Sequence, residues 1–134
     1  MTNSTVKRCR VFVVDNNVDL AETLAVVIGF EPDLECVGVS SDGTDALTRV
    51  ADSGTDVMVL DLSLPGRSAL SIIDELKHKG AQVSVVIYTG HAAPEFADEA
   101  RARGAAGYVI KGGEFAELAA EIRRVYAERH PTGR

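Results

Sequence analysis

Short, nearly continuous apolar runs alternate along the chain with stretches in which apolar residues recur every three or four positions. The first spacing is that of a buried strand and the second that of an amphipathic helix. Residues 10–14 read as a strand that closes on Asp15-Asn16-Asn17, and 18–30 as a helix with Leu20, Leu24, Val27 and Ile28 inward. The Asp/Asn cluster both ends the strand and caps the helix. Glu31-Pro32-Asp33 turns the chain into a strand at 34–39, and Ser41-Asp42-Gly43 leads to a short helix at 44–52 with Ala46, Leu47 and Val50 inward. A strand at 56–60 is bounded by Gly54 and Pro65-Gly66, and it ends on Asp61. A helix follows at 68–79, carrying Leu70, Ile73 and Leu76 on one face and stopped by Gly80. Residues 82–88 form an almost wholly apolar strand ending in Thr89-Gly90-His91, and Pro94 opens an alanine-rich helix to 103. The last pair is a short strand at 108–110, ending at Lys111, and a helix at 114–128 with Phe115, Leu118, Ile122 and Val125 inward.

Strands that are apolar nearly throughout, each followed by a helix, predict one five-stranded parallel sheet covered on both faces. Right-handed crossovers leave the doubly wound α/β forms as the leading architectures. At 134 residues, 46% hydrophobic and 25% charged, the chain suits one domain over 1–134, with an ordered core of about 8–128 and short tails. A net charge of −6 and a pI of about 5.0 have the wrong sign for a nucleic-acid surface, so direct DNA binding is not expected. No apolar run approaches a membrane span and the first residues lack a signal-peptide pattern, which together lead to an expectation of a cytoplasmic protein without a membrane role. Cys9 and Cys36 have no paired spacing and are expected as buried or half-buried thiols; His78, His91 and His130 show no zinc-ligand spacing.

The reactive side chains stand at the strand ends: Asp15 after the first, Asp61 after the third, Thr89 after the fourth and Lys111 after the fifth. In the 2-1-3-4-5 order, one of two common doubly wound arrangements, those four strands are neighbours and share a rim about 15 Å wide. A carboxylate there is suited to attack phosphorus, forming an aspartyl phosphate. Two anions then approach each other, which calls for a divalent cation, and Mg²⁺ prefers one or two carboxylates with water and phosphate oxygens. Lys111 and Thr89 would neutralise and hydrogen-bond the remaining phosphoryl oxygens. Each residue also has an ordinary role open to it: Asp61 as a turn or cap, Thr89 as a β-branched strand residue, Lys111 as a solvated amine. A dinucleotide site is not supported, because an acid replaces the glycine-rich turn after the first strand, and no P-loop motif occurs. A phosphatase of the haloacid dehalogenase kind would have a second Asp two residues after the nucleophile, where Ser63 stands.

Val14-Asp15-Asn16, Asp61-Leu62-Ser63-Leu64-Pro65-Gly66, Tyr88-Thr89-Gly90 and Gly107-Tyr108-Val109-Ile110-Lys111 together resemble a response-regulator receiver domain of bacterial two-component signalling, over nearly the whole chain. Leu34-Glu35-Cys36-Val37-Gly38, and Gly112 rather than Pro after Lys111, are similar to the NarL/FixJ subfamily in particular. The resemblance implies a flavodoxin-like (CheY-like) sheet in the order 2-1-3-4-5. It also implies that Asp61 is the phosphoacceptor, with Mg²⁺ held by Asp15, Asp61, the neutral Asn16 and the backbone carbonyl of Ser63. Thr89 and Lys111 then contact the phosphoryl group, and Tyr108 is an aromatic switch beside Thr89. The implied donor is a sensor histidine kinase or phosphotransfer protein. The implied readers of the face built from 93–103, 108–110 and 114–128 are an output domain, a partner protein or a second copy on activation.

Such a domain is not a turnover enzyme and catalyses at most its own phosphotransfer and dephosphorylation. NarL/FixJ-type receivers commonly precede a helix-turn-helix output domain, and none is expected within these residues. Asn16 stands where receivers usually have a second acid, which predicts weaker Mg²⁺ binding. Ala69 replaces a frequent glycine, and Ser63 and His91, two residues beyond Asp61 and Thr89, occupy positions that influence acyl-phosphate lifetime. Arg67 is close enough in sequence to reach the phosphate, although a solvated arginine is the commoner outcome. The alternatives are a receiver-like interaction module that has abandoned phosphorylation, for which Asn16 is the hint, and a metal-dependent phosphohydrolase.

Overall fold

Among the residues described by the computed structural model of the chain, 7–66, 68–90 and 94–131, strands and helices alternate without exception. The order is β1 (Cys9–Val14), α1 (Val18–Gly29), β2 (Leu34–Ser40), α2 (Ala46–Asp52), β3 (Val57–Leu60), α3 (Ala69–His78), β4 (Ser84–Thr89), α4 (Pro94–Arg103), β5 (Gly107–Ile110) and α5 (Phe115–Arg129). All the strand pairs are parallel and the sheet runs β2-β1-β3-β4-β5, the order implied by the resemblance.

Alternation of side chains along each strand divides the core into two layers. Val11 and Val13 of β1, Val57 and Val59 of β3, and Val86 and Tyr88 of β4 pack under α1 and α5, against Leu24, Ile28, Leu118, Ile122 and Val125. The intervening residues Phe12, Val14, Met58, Leu60, Val85 and Ile87 pack on the other face against Val50, Ile72, Ile73, Leu76 and Ala100 of α2, α3 and α4. Each such aliphatic side chain taken from water contributes roughly 1.5–3 kcal/mol, which is why the parity of the strands is not free to slip. Leu20, Val27, Leu47, Leu70 and Phe115, expected inward, are only partly buried and rim the two layers.

Several boundaries differ from expectation for local reasons. The second helix begins at Ala46 and not at Thr44: Asp42 Oδ1 accepts from Thr44 N–H at 2.7 Å in an Asx turn, and the helical ladder opens with Arg49 N–H to Asp45 O at 3.1 Å. The fourth strand begins at Ser84 and not at Gln82, where the ladder starts with Ser84 N–H to Asp56 O at 2.9 Å. Ser68 caps the third helix through its hydroxyl, which accepts from Ser71 N–H, and the helix proper starts at Ala69. A bulge between Val11 and Phe12 shifts the β1–β2 register past Val37 and sets Gly38 opposite Phe12. A methyl group added at Gly38 would lie 2.5 Å from Phe12 Cε2, so glycine is what admits the aromatic ring there. Cys9 is buried and Cys36 half-buried, both as free thiols. On the α1/α5 side, Arg123 reaches Asp33 Oδ2 at 2.7 Å and Glu31 Oε1 at 2.6 Å, tying α5 to the turn between α1 and β2.

Candidate functional site

The parity that builds the core also sorts the residues at the carboxyl edge of the sheet. Asp15 continues the Val11-Val13 row, Asp61 the Val57-Val59 row and Lys111 the Val109 row, all on the α1/α5 side. Thr89 continues Val85-Ile87 on the opposite side, where Tyr108 also lies. Ile87 pairs with Tyr108 and Thr89 with Ile110, so Thr89 and Tyr108 are diagonal neighbours across β4 and β5.

Backbone hydrogen bonds fix the two acids. Asp61 N–H donates to Val14 O at 2.9 Å and Asp15 N–H to Ser40 O at 3.0 Å, extending the ladder by one residue on each strand. Each carboxylate then has its Oδ1 tied by the loop that follows it: Asn17 N–H donates to Asp15 Oδ1 at 2.9 Å, and Ser63 N–H to Asp61 Oδ1 at 3.0 Å. Asn17 is itself the cap of α1, its side chain accepting from Leu20 N–H at 3.1 Å. The Oδ2 atoms face Lys111, whose Nζ stands 2.8 Å from Asp15 and 3.6 Å from Asp61. The backbone of Lys111 is held by its N–H to Thr89 O at 2.7 Å.

Asp15 and Asp61 are 1% and 3% exposed and Thr89 is fully buried, whereas Lys111 keeps contact with solvent. Two buried carboxylates with one ammonium leave a formal charge of −1, and a buried acid without full compensation attracts a further cation. Among the described residues no group of three or more His, Cys, Asp or Glu is placed to hold a metal, because the position after Asp15 is the neutral, exposed Asn16. A hard dication here would therefore be met by two carboxylates and neutral oxygens, a donor set that suits Mg²⁺. Ser63 is exposed on the β3–α3 loop beside Asp61. That loop is braced from the β2–α2 side by Gly43 N–H donating to Pro65 O at 3.2 Å, and Gly66, at φ +80°, packs so closely on Thr44 that a Cβ would meet its hydroxyl at 2.6 Å.

Tyr108 is half-buried, with the Arg101 guanidinium 5.8 Å from its ring centroid and its N–H donating to Glu121 Oε2 at 3.2 Å. Burial pushes its phenol above the ordinary tyrosine range, with Arg101 opposing. The structure thus gathers Asp15, Asp61 and Lys111 into direct contact, sets Thr89 at the adjoining strand end, and leaves Asn16 and Ser63 on the flanking loops. Arg67, His91 and Ala93 lie outside the described residues. One further residue belongs at this rim: the ring of Tyr88, whose apolar strand context suggests core, has its centroid 5.8 Å from Lys111 Nζ. Only the strand pairing brings it there, since Tyr88 pairs with Val109 and Lys111 is two residues further along the same face.

The family model described as "Response regulator receiver domain" matches residues 11–123. The uncharacterized transcriptional regulatory protein YvfU of Bacillus subtilis is 33% identical over 115 residues, covering 86% of this chain and 58% of its own. The DNA-binding transcriptional activator DevR/DosR of Mycobacterium tuberculosis is 31% identical over 120 residues, covering 90% and 55% respectively. The chain therefore spans little more than half the length of these curated relatives. Among solved structures, a LuxR-family two-component response regulator from Aurantimonas sp. SI85-9A1 superposes with a TM-score of 0.85 at 28% identity, over 92% of this chain and 88% of that one.

Proposed function

The chain belongs to the response-regulator receiver family of two-component signalling, and from that premise we propose that Asp61 accepts a phosphoryl group from the phosphohistidine of a sensor histidine kinase or phosphotransfer protein. The observation that supports this most is the asymmetric tethering of the carboxylate: Oδ1 is held by Ser63 N–H while Oδ2 points to Lys111 in a site of net negative charge. Oδ2 is then the attacking atom. A P–O bond forms as the P–N bond of the donor breaks, and the departing imidazole takes up a proton. Asp15, Asp61, the Asn16 side chain and the Ser63 carbonyl would hold Mg²⁺, which supplies the charge neutralisation that lets two anions meet. Lys111 moves its ammonium from Asp15 toward a phosphoryl oxygen, and the Thr89 hydroxyl donates to another.

Phosphorylation turns the singly charged Asp61 carboxylate into an acyl phosphate of about two charges, adding close to one negative charge and three acceptor oxygens at the rim, and the response follows from the diagonal placement of Thr89 and Tyr108. As Thr89 is drawn toward the phosphoryl oxygens, space opens on its own side of the sheet and the half-buried Tyr108 turns into it. The α4-β5-α5 face changes shape and with it the preference for an output domain, a partner protein or a second copy. DevR/DosR is described as a DNA-binding activator, which supports an output domain that binds DNA, controlled by a receiver whose own charge of −6 does not favour DNA. No helix of the described residues is long and apolar enough to cross a membrane; on membership of the receiver family, we place the protein's action in the cytoplasm. Its role is signalling, each domain accepting one phosphoryl group at a time.

Intact-mass spectrometry with acetyl phosphate and Mg²⁺ tests the proposal. The parent protein gains the mass of one phosphoryl group and Asp61→Asn gains none. An equal gain in Asp61→Asn overturns it, a parent that gains nothing favours a phosphorylation-independent module, and sustained phosphate release from small esters favours a phosphohydrolase.

A further inference from the structure

We propose that Tyr88 is a positioning residue for Lys111: its ring face, set diagonally across β4 and β5, carries the ammonium along the gap between Asp15 and Asp61. The inference rests on the phosphoacceptor reading of Asp61 and adds to it a residue that packing alone does not require. Tyr88 pairs with Val109, and Lys111, two residues further on, falls on the same face of the sheet. Nζ lies 5.8 Å from the ring centroid, within the range of about 6 Å over which a ring quadrupole attracts a cation.

The two carboxylates alone would hold Lys111 unevenly, at 2.8 Å from Asp15 and 3.6 Å from Asp61. An ammonium fixed on Asp15 sits on a ligand of the dication and away from the phosphoryl group that it must later meet. A third anion would trap it further. An aromatic face attracts over a broad area without a fixed bonding direction, so Nζ slides from one acid toward the other while keeping part of its stabilisation. Water competes weakly here, because Lys111 is 22% and Tyr88 8% exposed. The ring also acts as a neutral group, since burial pushes its phenol above the ordinary range. An aliphatic residue of similar bulk would fill the α1/α5 core, of which Tyr88 is part, but would offer the ammonium nothing.

Tyr88→Phe keeps the ring and Tyr88→Leu removes it, and the two are compared by two readouts. In protein labelled with ¹³C-lysine, the ε-methylene signals of Lys111, separated from Lys7, Lys77 and Lys79 by Lys111→Arg, are shifted upfield by the ring current in the parent and in Tyr88→Phe. They return to the ordinary lysine position in Tyr88→Leu. The rate of phosphoryl gain from acetyl phosphate stays within about threefold of the parent in Tyr88→Phe and falls about three- to tenfold in Tyr88→Leu, with thermal unfolding showing both variants folded at the assay temperature. Equal rates in all three proteins, a Tyr88→Phe variant as slow as Tyr88→Leu, or Lys111 signals that do not respond to loss of the ring would each overturn the proposal. A parent that gains no phosphoryl group instead overturns the phosphoacceptor reading, and the ring-current comparison still decides whether Tyr88 holds Lys111.

Discussion

Asp15 and Asp61 are buried acids that share one amine, and their unequal distances to it, 2.8 and 3.6 Å, describe a state in which Lys111 neutralises Asp15, the proposed metal ligand, more than Asp61, the proposed nucleophile. Charge is the quantity that Asn16 changes. With a carboxylate in its place the rim would carry −2 instead of −1, and two unit charges at contact distance in a partly solvated site interact by several kcal/mol before screening, on the order of 332/(ε·r). Asn16→Asp is therefore expected to tighten Mg²⁺ binding about tenfold and to speed phosphoryl gain, measured by titration calorimetry and by mass at limiting Mg²⁺. Unchanged affinity would remove Asn16 from the metal shell. Asp15, Asp61, Thr89 and Lys111 were legible in the sequence because polar residues at the ends of apolar strands stand out against their context. Tyr88 was not, because a tyrosine in an apolar strand reads as core until its partner on the next strand is known.

Elements were legible from periodicity, whereas the starts of α2 at Ala46 and β4 at Ser84 are set by where the backbone ladders open, at Arg49 N–H to Asp45 O and at Ser84 N–H to Asp56 O. No hydrophobic pattern reports the residue at which such a ladder opens. The bulge that places Gly38 over Phe12 is equally silent in the alternation. Phe12 is fully buried and the Arg49 guanidinium lies 5.2 Å from its ring centroid, so the ring has little room to yield. Gly38→Ala is expected to destabilise the fold by roughly 1–3 kcal/mol in urea unfolding, with Phe12→Leu recovering part of the loss in the double variant. No loss would show that the ring moves aside.

The tie between α5 and the α1–β2 turn gives a pH signature. The Arg123 hydrogen bonds hold the Asp33 carboxyl below its ordinary range against a smaller desolvation effect, so the unfolded chain binds the proton more readily. The resulting stability is present above the unfolded value of about 3.9 and is lost as pH falls through the lower folded value. Because Asp33 is half-exposed, Asp33→Asn is expected to cost no more than about 1 kcal/mol near neutral pH, with the difference from the parent shrinking as pH falls below the unfolded value of about 3.9. An equal difference at both pH values would assign the effect to packing.

On the scale of the whole molecule, one parallel sheet presents two chemically different sides at its carboxyl edge. The acids and the amine stand on the α1/α5 side, and the Thr89 hydroxyl and the Tyr108 ring on the α2/α3/α4 side. In the proposed mechanism a phosphoryl group at the rim would bridge them, and an event at Asp61 would reach Tyr108 without passing through the centre of the core. The layer order was legible only through the resemblance, since periodicity determines how many faces are apolar and not which strands are neighbours. Family membership and the sheet order follow from the comparisons and the topology, whereas the identity of the phosphorylated atom is a matter for chemistry. Borohydride reduction after treatment with acetyl phosphate and Mg²⁺ converts an aspartyl phosphate to homoserine, which peptide mass spectrometry locates. Conversion at Asp61 and at no other acid is the predicted result; conversion at Asp15, or at no acid in a protein that has gained phosphoryl mass, would contradict it.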